Sequence, residues 1–276
     1  MEFLYTADRN SYRRMTTSEL RESYMVDGTF VPGEVTLCYT DIDRAIVGSA
    51  VPLADPLTLP IHKELASDFF AQRREIGVVN IGAAGEIEVD GETYAVENRD
   101  SLYIGRGSRD IEFRSASADD PAKFHFVSYP AHTAYPTKLV KKAEANRLEL
   151  GSLEQSNERV IHQSIRPGIV ETCQIVMGFT QLSPGSVWNT MPPHTHRRRT
   201  EIYTYFDLDE DSNVFHFMGE PDEMRALVVR NGESVVSPTW SMHSGAGTRA
   251  YTFIWSMGGE NQEFEDMDHI DMKTLR

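Results

Sequence analysis

The chain has 276 residues, 40% of them hydrophobic, enough for a real core in one large β domain or two of ordinary size. Lys+Arg 27 against Asp+Glu 42 leaves a formal charge of −15. Phosphate recognition needs a basic footprint, so this balance argues against nucleic acid and an anionic membrane face and for a small-molecule partner.

The first residues contain no apolar core of signal-peptide length, and no run approaches a membrane span, which predicts a soluble cytoplasmic protein. Thr16 and Glu19 stand at capping-box spacing ahead of LRESYMV, predicting a short helix with Leu20 and Met25 inward. The arm before it reads as a clasp or a subunit contact. From Gly28 to Leu65 the texture is short β-type runs broken by Gly, Pro and Asp, with PLADPLTLP as a loop. HKELASDFFAQRR reads as a second short helix. Between Ile76 and Phe126, IGVVNIG, EIEVDGETYAV, SLYIGRG, DIEFRS and KFHFVSY have strand length and turn residues at their ends, with Asp90-Gly91 as a hairpin turn. This is the pattern of an antiparallel sandwich or closed barrel.

Pro136 to Gln163 is the most polar stretch and reads as the connection between halves, its Lys138, Lys141 and Lys142 forming a solvated face. The short-strand texture then resumes. The expected division is therefore a barrel with its arm over 1–136, a connection over 137–163, and a second barrel over 164–276. Cys38 and Cys173 give neither a disulfide framework nor a CxxC zinc site, and read as buried thiols.

Chemistry concentrates in MPPHTHRRRTEIYTYF, Met191 to Phe206. On a strand, a period of two sends His194 and His196 to one face, so two imidazoles converge. Glu201 has the opposite parity and joins them only if a bulge or bend within Arg197–Thr200 resets the phase. The fourth ligand expected is His243, in NGESVVSPTWSMHSGAG, beyond a turn-rich segment. A lone surface HxH usually means nothing; the carboxylate and the distant histidine make it a candidate metal site. Three neutral imidazoles and one carboxylate suit zinc, iron, manganese or nickel and leave coordination positions open.

A weak internal repeat lays Asn98–Ser108 on Asn231–Ser241 and Arg73–Ile76 on Arg199–Ile202. It puts Glu75 opposite Glu201, Asp110 opposite His243, and Asp68 and Phe70 where His194 and His196 stand. The first copy thus lacks a metal triad.

The Gly185–Glu201 segment and the run from Gly232 through Pro238 and Trp240 to His243 resemble the two motifs of the cupin superfamily. Trp240 and Gly247 stand where the general pattern has Gly and Asn, and neither is a ligand. Over nearly the whole chain, WNTMPPHTHRRRTEIYTYFDL, ETCQIVMGFTQLSPG, SPTWSMHSGAGTRAYTFIW and GGENQEFEDMDHIDMKTLR are similar to the bacterial 5-keto-4-deoxyuronate isomerases of pectin breakdown. The resemblance implies an all-β bicupin fold of two jelly-roll (double-stranded β-helix) barrels with a short N-terminal helix. It also implies one Zn2+ per subunit on His194, His196, Glu201 and His243, and a homohexamer in which the arm and first barrel are structural. The implied reaction is a ketol isomerisation of a keto-uronate, 5-dehydro-4-deoxy-D-glucuronate to 3-deoxy-D-glycero-2,5-hexodiulosonate.

The residues single out no catalytic base. Tyr203 and Tyr205 could face the cavity, although aromatic residues on a barrel strand are more often core. Arg197, Arg198 and Arg199 are candidates for the substrate carboxylate, against a slightly preferred reading as an exposed or intersubunit cluster. The same ligand set serves cupin dioxygenases, and a non-catalytic sugar-acid-binding cupin is a third reading.

Overall fold

The computed structural model describes residues 1–276, which form antiparallel sheets and a single α-helix. Two compact units interleave along the chain: Met1–Phe3, Gly28–Ala145 and Ser164–Met177 in the first, Leu4–Asp27, Asn146–Gln163 and Gly178–Arg276 in the second. The all-β cupin fold is as expected, but the division at 137–163 is not. That stretch holds the strand Lys138–Val140, on the edge of the first unit's large sheet, and the strand Asn146–Leu150, on the edge of the second's. Edge strands carry charged side chains that discourage further pairing, so these two read as a polar linker. The lysines there are also not merely solvated: Lys138 Nζ donates to the Ile169 carbonyl at 2.6 Å and Lys141 Nζ to Asp100 at 2.9 Å.

In the first unit the seven-stranded sheet runs Glu2–Leu4, Val35–Thr40, Ile46–Ala50, Phe124–Pro130, Arg74–Asn80, Ser101–Ile104, Lys138–Val140. A four-stranded sheet includes the hairpin of Gly85–Val89 and Glu92–Val96. Its turn is Asp90-Gly91 with φ of 50° and 86°, the left-handed pair a two-residue hairpin favours. Phe113, Phe124 and Phe126 are fully buried, with ring centroids 5.3 and 6.0 Å apart from Phe113, and fill the interior with Phe70 and aliphatic neighbours.

The second unit repeats the plan. Its seven-stranded sheet runs Asn146–Leu150, Arg159–Ile165, Val176–Leu182, Thr252–Gly259, Arg199–Phe206, Ser234–Ser237, Met25–Val26. A five-stranded sheet runs Glu223–Val229, Val214–Glu220, Met242–Gly247, Trp188–Thr195, Asp268–His269. Arg74–Asn80 and Arg199–Phe206 hold the same place, fifth of seven, which is the correspondence that the Glu75/Glu201 match implies.

The helix spans Thr17–Tyr24 and opens on the capping box: the Thr16 hydroxyl accepts from Glu19 N–H while the Glu19 carboxylate accepts from Thr16 N–H. Leu20 and Met25 are buried. Residues 4–27 act as a clasp within the second unit, where Tyr12 packs tilted at 4.8 Å and Tyr24 edge-on at 6.4 Å against Trp240. Arg9 and Arg13 both pair with Glu220. The bulky Trp240, a departure from the cupin pattern, is thus the platform for the arm. The second helix expected over HKELASDFFAQRR does not form; only the 3-10 turns Lys63–Leu65 and Phe70–Gln72 appear. Ala66 between them is left-handed (φ 47°, ψ 43°) and Phe69 extended, because Phe70 and Ala71 turn inward to the core rather than along a helix face.

Candidate metal centre

His194 lies near the end of Trp188–Thr195 and pairs across the ladder with His243 of Met242–Gly247, so neighbouring strands aim their imidazoles at one spot. His196 follows directly after the first strand. The phase reset expected as a bulge or bend within Arg197–Thr200 is a turn through Arg197 and Arg198: Arg199 N–H donates to the His196 carbonyl at 3.2 Å, and the chain passes from the five-stranded into the seven-stranded sheet. Glu201 therefore sits on a different sheet from His194, and parity along one strand no longer applies. An irregularity of register does occur, but earlier, between Asn189 and His194.

The four side chains are brought together. His194 Nε2 lies 2.9 Å from His196 Nε2 and 3.0 Å from His243 Nε2. A Glu201 carboxylate oxygen lies 3.0 Å from His196 Nε2 and 2.7 Å from His243 Nε2. All four donor atoms fall within 4.8 Å of one another, and all four residues are buried. Burial, then the neighbouring His243 and His196, holds His194 well below the ordinary imidazole pKa, so it is neutral. Burial alone would raise Glu201, but the neighbouring His243, then His196, hold it well below the usual carboxylate range.

The donor set fits a divalent ion. His196 Nδ1 lies 2.7 Å from the Asp266 carbonyl, which can only accept, so Nδ1 carries the proton and Nε2 turns its lone pair inward. A carbonyl behind a histidine is the support that metal-ligating imidazoles have. A neutral imidazole at His194, an inward lone pair at His196 and an ionised carboxylate at Glu201 then meet with His243, a donor set that suits a divalent cation.

His194, His196 and Glu201 form one wall of a cavity of about 230 Å³. The inward rows of the large sheet supply Arg159, Ile161, Thr180, Tyr203, Phe253, Trp255 and Met257. The opposite side is Thr190, Met191 and Pro192 with the C-terminal tail, through Phe264, Met267 and His269. Tyr203 lines the cavity, its hydroxyl 3.1 Å from Thr190 Oγ1. Burial, then the Glu201 charge, pushes that hydroxyl well above 10, so it stays protonated. Tyr205 does not line the cavity; it is fully buried, its hydroxyl hydrogen-bonded to His216 Nδ1 at 2.8 Å.

None of the three consecutive arginines lines this cavity. Arg198 grips Asp266 and Asp268. Arg199, 1% exposed, donates to the Glu263 and Asp266 carbonyls. Arg197 borders a separate polar groove. Their work is to hold the tail against the centre, and Asp268–His269 completes this by pairing with His194 and Thr195. Sequence reasoning missed Arg159 and the tail as walls of the site. The tail's one local signal was the acidic run opposite three arginines.

Two units of this architecture, one with a buried His/Glu cluster facing a cavity, define an all-β protein of the cupin fold with a candidate metal centre. The model of the KduI/IolB family matches residues 29–273, and the chain belongs to that family. Relatives named 4-deoxy-L-threo-5-hexosulose-uronate ketol-isomerase include one from Lachnoclostridium phytofermentans, 54% identical over 276 residues covering all of both chains. One from Halalkalibacterium halodurans is 48% identical over the same full span. One from Escherichia coli O9:H4 is 48% identical over 266 residues, 96% of each. Among solved structures, an IolB-like protein from Salmonella typhimurium LT2 superposes with a TM-score of 0.67 at 13% identity, covering 82% of this chain and 87% of its own. Bacillus subtilis oxalate decarboxylase gives 0.55 at 9%, covering 80% and 70%.

Proposed function

We propose that this chain is a zinc-dependent ketol-isomerase that converts 5-dehydro-4-deoxy-D-glucuronate into 3-deoxy-D-glycero-2,5-hexodiulosonate by moving a proton between C1 and C2. The enzyme class follows from full-length relatives at 45–54% identity that carry the ketol-isomerase name. The observation that carries the reading is the convergence of three imidazole Nε2 atoms and one carboxylate, with His194, His196 and Glu201 lining a mainly apolar cavity. His194, His196, Glu201 and His243 would hold the ion. With one anionic ligand it keeps net positive charge, which when bound would stabilise the negative oxygen left as a C–H proton departs beside a carbonyl. Zinc suits this set because the isomerisation needs no change of metal oxidation state.

The chain's own groups do the rest. Phe253, Trp255, Met257, Phe264 and Met267 exclude water, which strengthens every charge interaction inside. Tyr203, kept protonated, is a hydrogen-bond donor to a substrate oxygen rather than the resting base. The Asp266 carbonyl, which also accepts from Arg199, fixes the His196 ring. The same reading places the enzyme in pectin and polyuronate degradation, as a cytoplasmic homohexamer.

The test is an NMR time course of the keto-uronate with purified protein before chelation, after it, and with zinc restored. The 2,5-diketo product is expected, lost on chelation and regained with zinc. Unchanged substrate with metal-loaded protein would favour a non-catalytic binder. Oxygen consumption in its place would favour a dioxygenase.

A further inference from the structure

The cavity holds one charged group besides Glu201 and the histidines: Arg159, at the start of Arg159–Ile165. Its Nη1 donates to the Asn157 carbonyl at 2.8 Å, and no carboxylate pairs with it. A guanidinium has five N–H donors in a rigid fork, so most of this one remains free on a wall otherwise made of Leu150, Ile161, Phe253 and Trp255. A half-buried arginine without a counter-ion is a poor structural device, because desolvation is left uncompensated; it is a good receptor for an anion that brings its own charge. Burial indeed lowers its pKa from the ordinary arginine value.

Its place in the sheet matters as much. Arg159–Ile165 is separated from Arg199–Phe206, the strand of Glu201, by the two strands Val176–Leu182 and Thr252–Gly259. Three strand spacings put the two backbones on the order of 14 Å apart along the sheet. The arginine stem and a six-carbon chain together bridge that span, with one end of the ligand at the His/Glu cluster and the other at the guanidinium.

We infer that Arg159 binds the carboxylate of the sugar acid, holding the acid end opposite the His/Glu cluster and so selecting uronates over neutral sugars. This rests on the keto-uronate reading above, in which the reacting C1 and C2 lie at the opposite end of the chain from the C6 carboxylate. Arg197, Arg198 and Arg199, the obvious candidates by proximity in sequence, lie outside the cavity wall, and no lysine lines it.

The test compares D-galacturonate with D-galactose, which differ only at C6, by calorimetric titration of zinc-loaded wild type, Arg159→Gln and Arg159→Lys. Melting curves accompany them to verify folding. Wild type is expected to favour the acid by at least about tenfold, the scale of a charge-assisted fork. Arg159→Gln should bring the two sugars within about threefold of each other, and Arg159→Lys, with its charge but no fork, should fall between. With the keto-uronate, Arg159→Gln should act chiefly by raising KM. A folded Arg159→Gln protein that keeps the acid preference, or a wild type with none, overturns the assignment. If Arg159→Gln does not fold, Arg159→Lys decides: unchanged affinity for the acid overturns it, and a fivefold or larger loss at near-normal kcat upholds it. Acid preference that depends on Arg159 in a protein that isomerises nothing would retain this inference and remove the isomerase reading.

Discussion

Glu75 and Glu201 both stand near the start of the fifth strand of two like-ordered sheets, and their surroundings have made them different things. Glu75 is completely buried and saturated by its own chain. One oxygen accepts from Gln174 N–H at 2.8 Å and Ile175 N–H at 3.1 Å, the other from Cys173 N–H at 2.7 Å and the Tyr103 hydroxyl at 2.9 Å. Glu201 meets only imidazoles. Around Glu75 the positions matched to the histidines are Asp68, exposed and bonded to Gln72, and Phe70, which fills the core. Asp110, matched to His243, is exposed and donates its N–H to Asp90. A carboxylate becomes a pin when the chain fills its acceptor sites, and half of a binding centre when it leaves them open.

That contrast breaks most sharply at His243. His243→Ala removes a centre ligand, and turnover of the keto-uronate should fall on the order of 10³-fold or more with loss of bound metal, while circular dichroism keeps the strand signal. Retained turnover would defeat the assignment. The mirror experiment is Glu75→Ala, which strands three backbone N–H groups. It should cost on the order of 3 kcal/mol in urea unfolding yet leave kcat of the folded protein near normal. Loss of kcat without loss of stability would mean the two carboxylates differ less than their surroundings suggest.

One feature should be common to both units. His125 in the first and His216 in the second are fully buried, and burial lowers each to about 3. An unfolded imidazole titrates near 6.5, so between that value and about 3 the unfolded chain binds the extra proton. Their contribution is intact above about pH 6.5 and is lost as pH falls, by about 1.4 kcal/mol per pH unit for each at most. Urea midpoints at pH 7, 6 and 5 should step downward; a level series would contradict neutral burial. The smallest effect expected is from Arg198→Ala, which loosens the tail at Asp266 and Asp268 but leaves the carbonyl on His196. KM should rise about threefold with metal retained, the scale of losing a partly exposed ion pair.

The strand texture, the capping box and the four cluster residues were legible because each is a local pattern of rare residue types. His194 and His196 announce themselves by spacing, and Glu201 and His243 by the segments that carry them. The bend that brings Glu201 across lies within Arg197–Thr200, where the parity mismatch required it, but its kind was not legible because a sheet-to-sheet corner and a bulge leave the same mismatch. Arg159 was invisible: a single arginine in a polar stretch becomes a cavity residue only through sheet order, which no short window of sequence encodes. Residues 137–163 misled for a related reason, since edge strands and linkers are both polar. Phe70 and Ala71 belong to the core as hydrophobic residues should, but the left-handed Ala66 interrupts the helix expected over HKELASDFFAQRR.

X-ray absorption at the zinc edge of the protein as purified bears most directly on the four-residue centre. It should give one zinc per chain, nitrogen and oxygen neighbours at about 2.0–2.2 Å, and the outer-shell pattern of three imidazoles. A spectrum with fewer than three imidazoles, with sulfur in the coordination sphere, or from a protein that takes up no zinc would contradict the account.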